Sequence, residues 1–323
     1  MKKVSSETQN LLHELPHLIV LVVLILVLLV VVTNYNWIHC SQIPGNWCDI
    51  YCNVIMRSHS KVALVYGEDG IGNPDALENM IRRIRPYTYL EPVRLQDASF
   101  GMLKGYKLAI VEHAKSMSNA QSNALIKFID NGGTVLWVGD SGTRQYYDQI
   151  DIAQAIADTP ESKFNESGID KKELQKALEH EMTIDEIDNF TQKLIAKGFL
   201  GTAAQKQLQG FGQFAYVFRA KYVNTTEVKP LSTVKLRILD YSNLMAHGLL
   251  NSFEISPSQF VEVKENAAGV DKVASLEYNK KEYPALLEAK DVTRVVSVYS
   301  AVPLEDLNST TLLTNILDYL VPC

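Results

Sequence analysis

The side chains able to do chemistry in this 323-residue chain gather in a few short stretches. Ser141 stands in Gly139-Asp140-Ser141-Gly142, directly after the apolar run Thr134–Val138. A serine held on a sharp strand-to-helix turn can present its hydroxyl for attack on a carbonyl, given an imidazole base within hydrogen-bond reach. His113 ends an adjacent apolar run, and His247 lies in Ala246-His247-Gly248. Ser141, Asp140, His113 and His247 are therefore the catalytic candidates. The full Gly-x-Ser-x-Gly elbow is absent, and a serine that caps the following segment is the ordinary reading of such a turn. Glu68, Asp69, Glu112 and Asp140 form a second set, the ligand-binding candidates, each at the end of an apolar run. With His113, carboxylates so placed could hold a divalent cation. Their spacing selects no metal, and solvated acids are common at strand ends. Gly67-x-x-Gly70-x-Gly72 lacks both the Lys-Ser/Thr pair of a phosphate loop and the dinucleotide spacing, so no cofactor is implied.

Elements that could bring these residues together are legible around them. Lys107–Val111 reads as a buried strand, Ser118–Asp130 as an amphipathic helix, and Thr134–Val138 as a second buried strand after the Gly132-Gly133 turn. Two apolar runs flanking one helix imply a crossover between parallel strands. Val62–Tyr66 adds another buried strand, and Asn73 with Pro74 opens a helix that runs to about Arg85. Tyr89–Leu95 is a strand interrupted by Pro92, which places it at a sheet edge. Further strands are expected at Phe214–Phe218, Val234–Leu239, Phe260–Val263, Lys272–Tyr278 and Arg294–Val298, with a last helix over Thr311–Leu320.

Between these groups the texture changes to polar helices at Asp148–Ile156, Lys171–His180, Asp185–Lys197 and Thr202–Leu208. Thr183-x-x-Glu186 is a capping box before the third of them. This makes residues 148–210 a helical insertion, whose apolar side chains (Leu174, Leu178, Ile187, Leu194, Ile195, Phe199) pack internally or build an interface with a protein partner or a second copy. Ligands of open α/β sheets sit beyond the carboxyl ends of the strands, where Glu68, Asp69, Glu112, His113 and Asp140 fall.

The N-terminus bears on location. Leu18–Val32 is fifteen apolar residues without a break, extendable to about twenty with its flanks, the length that crosses ~30 Å of hydrocarbon. Tyr35 and Trp37 suit the interface. No small-x-small site follows Val32, and His39 precedes Cys40, which disfavours cleavage as a signal or lipoprotein segment. Lys2 and Lys3 precede the span and no Lys or Arg follows before Arg57, so the N-terminus is expected in the cytoplasm and the rest outside. The expected organisation is a tail over 1–16, a single-pass helix over 17–37 in the lipid bilayer of the cell membrane, a juxtamembrane segment over 38–60, and a folded domain over 61–147 and 211–323. Asn165, Asn189, Asn224 and Asn308 open glycosylation sequons. Cys40, Cys48, Cys52 and Cys323 suggest two disulfides in an exported segment, a better reading than a zinc site. A net charge of −6 excludes nucleic acid as a partner. Since helices of a parallel α/β domain end where strands begin, Cys323 is expected near the juxtamembrane cysteines, paired with one of them.

Residues 61–143 and 242–320, with VALVYG, LAIVEHAKSMSNAQSNALIKFIDNGGTVLWVGDSG, the Asn243–Leu249 segment and the closing RVVSVY strand with the Asn315 helix, resemble the class I glutamine amidotransferase-like superfamily. The resemblance covers about half of the chain and implies a flavodoxin-like parallel sheet. Amidotransferases carry a cysteine on the turn after the Gly-Gly strand, where this chain has Gly139-Asp140-Ser141-Gly142-Thr143. Their glycine-rich oxyanion loop is replaced by Glu112-His113-Ala114, and their late His-x-Glu pair is not evident. Glutamine hydrolysis is not expected. The sequence points to a membrane-anchored extracytoplasmic binding domain on a non-catalytic scaffold, with a surface hydrolase using Ser141, or a metal near Asp140, Glu112 and His113, as the alternative.

Overall fold

The computed structural model describes residues 6–34, 43, 45, 47–56, 60–86, 88–167, 170–180, 182–199, 210–230, 232–265, 269–291 and 294–321. The chain divides into two units, one of residues 1–59 with 322–323 and one of residues 60–321.

The first unit is dominated by α1 (Ser6–Asn34). Its Pro16–Thr33 stretch is long and apolar enough to cross a membrane by length and composition, and the side chains of Leu18–Leu28 are exposed. A short helix, Trp47–Ile50, and a wide turn, Tyr51–Met56, follow. Thr33 Oγ1 donates to Leu29 O (2.7 Å) and accepts from Trp47 Nε1 (3.1 Å). Trp47 and Tyr51 bury their rings against Leu29, Val30, Ile43 and Cys52. Cys52 is disulfide-bonded. Cys40, Cys323 and the side chain of Cys48 lie outside the described residues, as does the expected helix at Thr202–Leu208.

The second unit opens with β1 (Lys61–Asp69), α2 (Pro74–Ile84), β2 (Tyr89–Arg94), β3 (Leu108–Ala114) and the short β4 (Ser116–Ser118). Next come α3 (Asn119–Asp130), β5 (Thr134–Val138) and β6 (Arg144–Tyr146). Four helices follow, α4 (Gln149–Asp158), α5 (Glu161–Ser167), α6 (Lys171–Ala177) and α7 (Ile184–Ala196). The chain then runs through β7 (Ala220–Glu227), β8 (Val234–Ile238), β9 (Ser252–Ile255) and β10 (Gln259–Glu265). It closes with β11 (Val270–Tyr278), β12 (Lys281–Lys290), β13 (Val295–Ser300) and α8 (Thr310–Leu320).

Nine strands form one sheet in the order β2-β1-β3-β5-β13-β12-β11-β8-β9. The first five run parallel, as apolar strands joined by helical crossovers must. From β13 outward the pairing turns antiparallel, and β11 and β12 are joined by a two-residue hairpin. The sheet is therefore mixed: the expected parallel strands form one half, and an antiparallel half continues it. As Pro92 implied, β2 sits at an edge. Helix starts follow their local chemistry. Asn73 accepts from Ala76 N ahead of Pro74, and Ser118 forms a reciprocal box with Gln121, as Thr183 does with Glu186.

Phe214–Phe218 is a helical turn, not a strand. Phe211, Phe214 and Phe218 recur at helical spacing, which places Phe214 and Phe218 over Trp137 with ring centroids 4.4 and 4.8 Å away. Aromatic content suggests a strand there; periodicity and a buried partner decide for the helix. Helices α4 to α7 gather a separate small core of Ile152, Ile156, Phe164, Ile187, Leu194 and Phe199.

The β12 strand is anchored by Glu288, which is fully buried. Its carboxylate accepts from Asn243 Nδ2 (2.5 Å), Lys290 Nζ (3.0 Å) and the hydroxyl of Tyr319 on α8. Burying a carboxylate is tolerated only when its oxygens are met in this way. Glu288→Ala should cost about 3 kcal/mol and Tyr319→Phe about 1 kcal/mol, read as shifts in the urea midpoint of the full chain. Equal, negligible shifts would remove this network from the account.

Candidate functional site

The parallel strands deliver Glu68, Asp69, Glu112, His113 and Asp140 to the carboxyl edge of the sheet, but the edge divides them between an open cleft and a sealed interior. Asp140 lies on the sealed side, 2% exposed. Its Oδ1 accepts from Ile71 N (2.8 Å), and Lys115 Nζ lies 3.8 Å from Oδ2. Burial raises its pKa, and the Ile71 amide and Lys115 oppose that rise. The bond fixes the Gly70–Asn73 loop above the end of β5.

That loop packs against the turn after β5. Gly139, the first residue after β5, has φ +61°, the left-handed conformation of a sharp elbow. A Cβ at this position would overlap Ile71 Cγ1 and Cδ1. Two residues on, Ser141 is fully buried. Its hydroxyl spans 3.5 Å to Val111 O and 3.4 Å to Ala114 N, and its carbonyl accepts from Trp137 Nε1 (2.7 Å). Ser141 thus faces the backbone of β3. His113, at φ +52°, has its Nδ1 buried with no hydrogen-bond partner among the described residues. His247 is exposed on a separate loop, where its carbonyl accepts from Asn315 Nδ2.

Glu112 is fully buried as well. Burial, and then the neighbouring Glu305 carboxyl, hold its pKa well above the usual carboxylate range. Among the described residues no group of three His, Cys, Asp or Glu side chains is placed to hold a metal ion.

Glu68 and Asp69 lie on the open side. They line a cleft of about 870 Å³ with Tyr66, Arg94, Gln121 and Arg144, closed on its far wall by Thr183 and Asp185 of the helical segment. Asp69 is already engaged: Oδ1 accepts from Ser116 N (2.9 Å) and Oδ2 from Ser116 Oγ (2.6 Å), which fastens β4. Arg144 reaches Asp185 (2.7 Å) and Asp188 (3.5 Å), joining β6 to the start of α7. Its pKa is raised first by the Asp185 hydrogen bond. The strand β4 and the start of α3 present Ser116 and Gln121 to the same space, so the cleft offers acids, guanidinium groups, amides and tyrosine faces together. A cleft of this size and mixture suits a small polar ligand.

Sequence reasoning placed Glu68 and Asp69 at this edge and missed Arg94, Gln121, Arg144 and Asp185. Arg94 follows from the rule about strand ends, since it closes β2. Arg144 and Asp185 carry no local signal, because their meeting depends on how the helical segment folds back.

No family model and no curated protein matches the chain. Solved structures do. A protein described as ThuA-like from Bacteroides uniformis ATCC 8492 aligns at a TM-score of 0.50 and 12% identity, over 82% of this chain and 93% of its own. The β-galactosidase from Rahnella sp. R3 aligns at 0.51 and 13%, over 80% of this chain and 31% of its own. A protein described as a GMP synthase component from Thermoplasma acidophilum reaches 0.44 at 9% identity, over 82% of this chain and 96% of its own. At such identities the likeness is one of fold: the chain shares the α/β fold of the ThuA-like protein.

The contact between Ile71 and the elbow is testable. Gly139→Ala should cost about 2–4 kcal/mol from strained φ and overlap. Ile71→Ala in the same chain should recover part of that loss in a double-mutant cycle on the urea midpoint. Strictly additive losses would show that the two positions do not press on each other.

Proposed function

We propose that this chain is a membrane-tethered binding protein: α1 anchors it in a cell membrane, its folded unit stands on the extracytoplasmic side, and the cleft at the carboxyl edge takes a small polar ligand. The observation that carries the binding reading is the contrast at that edge. The turn after β5 is filled by Ile71 and its serine is turned into the backbone, while the space beside Glu68, Arg94 and Arg144 is open. A scaffold whose reactive turn is occupied and whose neighbouring cleft is not is arranged to hold a ligand, not to cleave one.

The tether and its orientation rest on the apolar run of α1 and on the absence of Lys or Arg between it and Arg57. On this reading Asn165, Asn189, Asn224 and Asn308 are available for glycosylation in a eukaryotic secretory compartment, and Cys40, Cys48, Cys52 and Cys323 form disulfides. The helical segment serves as the surface for a protein partner or a second copy.

Two measurements on the full chain test these statements separately. Translation into sealed microsomes should leave the folded unit protected from added protease until detergent is supplied; digestion without detergent would reverse the orientation. Fluorophosphonate should leave Ser141 of the purified protein unlabelled. Stoichiometric labelling there would restore the alternative, a surface hydrolase.

A further inference from the structure

Glu112 poses a problem that the binding reading does not use. Its side chain is fully buried at the end of β3, and neither oxygen completes a hydrogen bond among the described residues, although the Leu304 amide faces it and opposes the rise in its pKa. The Gly70–Asn73 loop lies directly on it: a Cβ at Gly72 would come within 2.7 Å of Glu112 Cγ and 2.9 Å of Oε1. Glu305, on the single helical turn Glu305–Leu307, faces the same carboxyl. Its Oε1 accepts from Asn73 N (2.5 Å), while its Oε2 is buried and also lacks a donor among the described residues.

Ionised, Glu112 would be a buried anion beside the half-buried Glu305 carboxylate, a costly arrangement. A single proton supplies the missing donor for both. We propose that Glu112 and Glu305 form a proton-binding site, one acid donating to the other carboxylate, and that the shared proton holds the Gly70–Asn73 loop down over the β5 turn.

The groups around the pair offer no competing cation. From the 305–307 turn comes Asp306, itself raised to about 6, and from β1 come Tyr66, the register partner of Glu112, and Asp69, engaged by Ser116. Beyond β5 is Asp140, which takes Lys115, and on the same strand stands His113. The loop itself brings Gly70, Ile71, Gly72 and Asn73, none of which titrates. Among the described residues no donor set here fits a metal ion.

The sign follows. Glu112, whose carboxyl burial holds above its ordinary pKa, keeps a proton that the opened state has released, so opening becomes easier as pH rises through its titration. Asp306 acts in the same sense. The site is independent of the tether and of whatever the cleft binds.

Amide hydrogen exchange on the full chain between pH 5 and 10, expressed as protection factors, tests this. Protection over residues 70–76 and 304–307 should fall by about tenfold per pH unit once Glu112 titrates, while the centres of β3 and β5 keep theirs. Glu112→Gln, which keeps a donor and cannot ionise, should flatten the fall, and Glu305→Gln should do the same from the other side. Wild-type protection that stays level over the range would overturn the proposal. So would a fall of equal steepness in both variants.

Discussion

The bond from the Ile71 amide to the Asp140 carboxylate governs the whole carboxyl edge. It joins the loop after β1 to the turn after β5, and it is buried. Everything next to it inherits its geometry. With Ile71 fixed, its side chain occupies the space beside Gly139. With Gly72 fixed, Glu112 is covered, and with Asn73 fixed, α2 receives its cap while Glu305 receives the Asn73 amide. A buried carboxylate that accepts from a backbone amide is rigid and hard to replace, because losing either partner strands the other without water. The loop is thus a built plug, continuous with a helix on one side and with the sheet on the other.

The acids at strand ends meet different fates for the same reason. Glu68 remains exposed, Asp69 spends both oxygens on Ser116, and Asp140 and Glu112 lie beneath the loop. Only the first two border the cleft, and they share it with Arg94 and with Arg144, which is drawn to the start of α7 by Asp185 and Asp188. What looks in sequence like one constellation of carboxylates is in space a structural set and a binding set, separated by four residues of backbone.

The sheet was legible where the strands are buried on both faces and joined by capped helices. Val62–Val65, Leu108–Val111 and Val135–Val138 form continuous apolar runs, and Asn73-Pro74 and Thr183-x-x-Glu186 announce helix starts through side chains that must satisfy free amides. Lys281–Lys290 was not legible. Pro284 and the Ala-Leu-Leu-Glu-Ala run argue against a strand locally, yet pairing with β11 and β13 and burial from Ala285 to Ala289 override that preference. Phe214–Phe218 failed in the opposite direction, since its aromatic residues favour a strand until Trp137 is known to lie beneath them. Glu305 could not have been linked to Glu112 from sequence, because only the fold brings the late turn onto the end of β3.

That the β5 turn is sealed is tested most directly by thiol access at position 141. In the full-length Ser141→Cys protein, with wild type as the reference for its own cysteines, a small maleimide should fail to modify residue 141 under native conditions and should modify it only as the protein unfolds in urea. Modification under native conditions at the rate of an exposed cysteine would contradict the account, because the turn would then be open to solvent and to substrate.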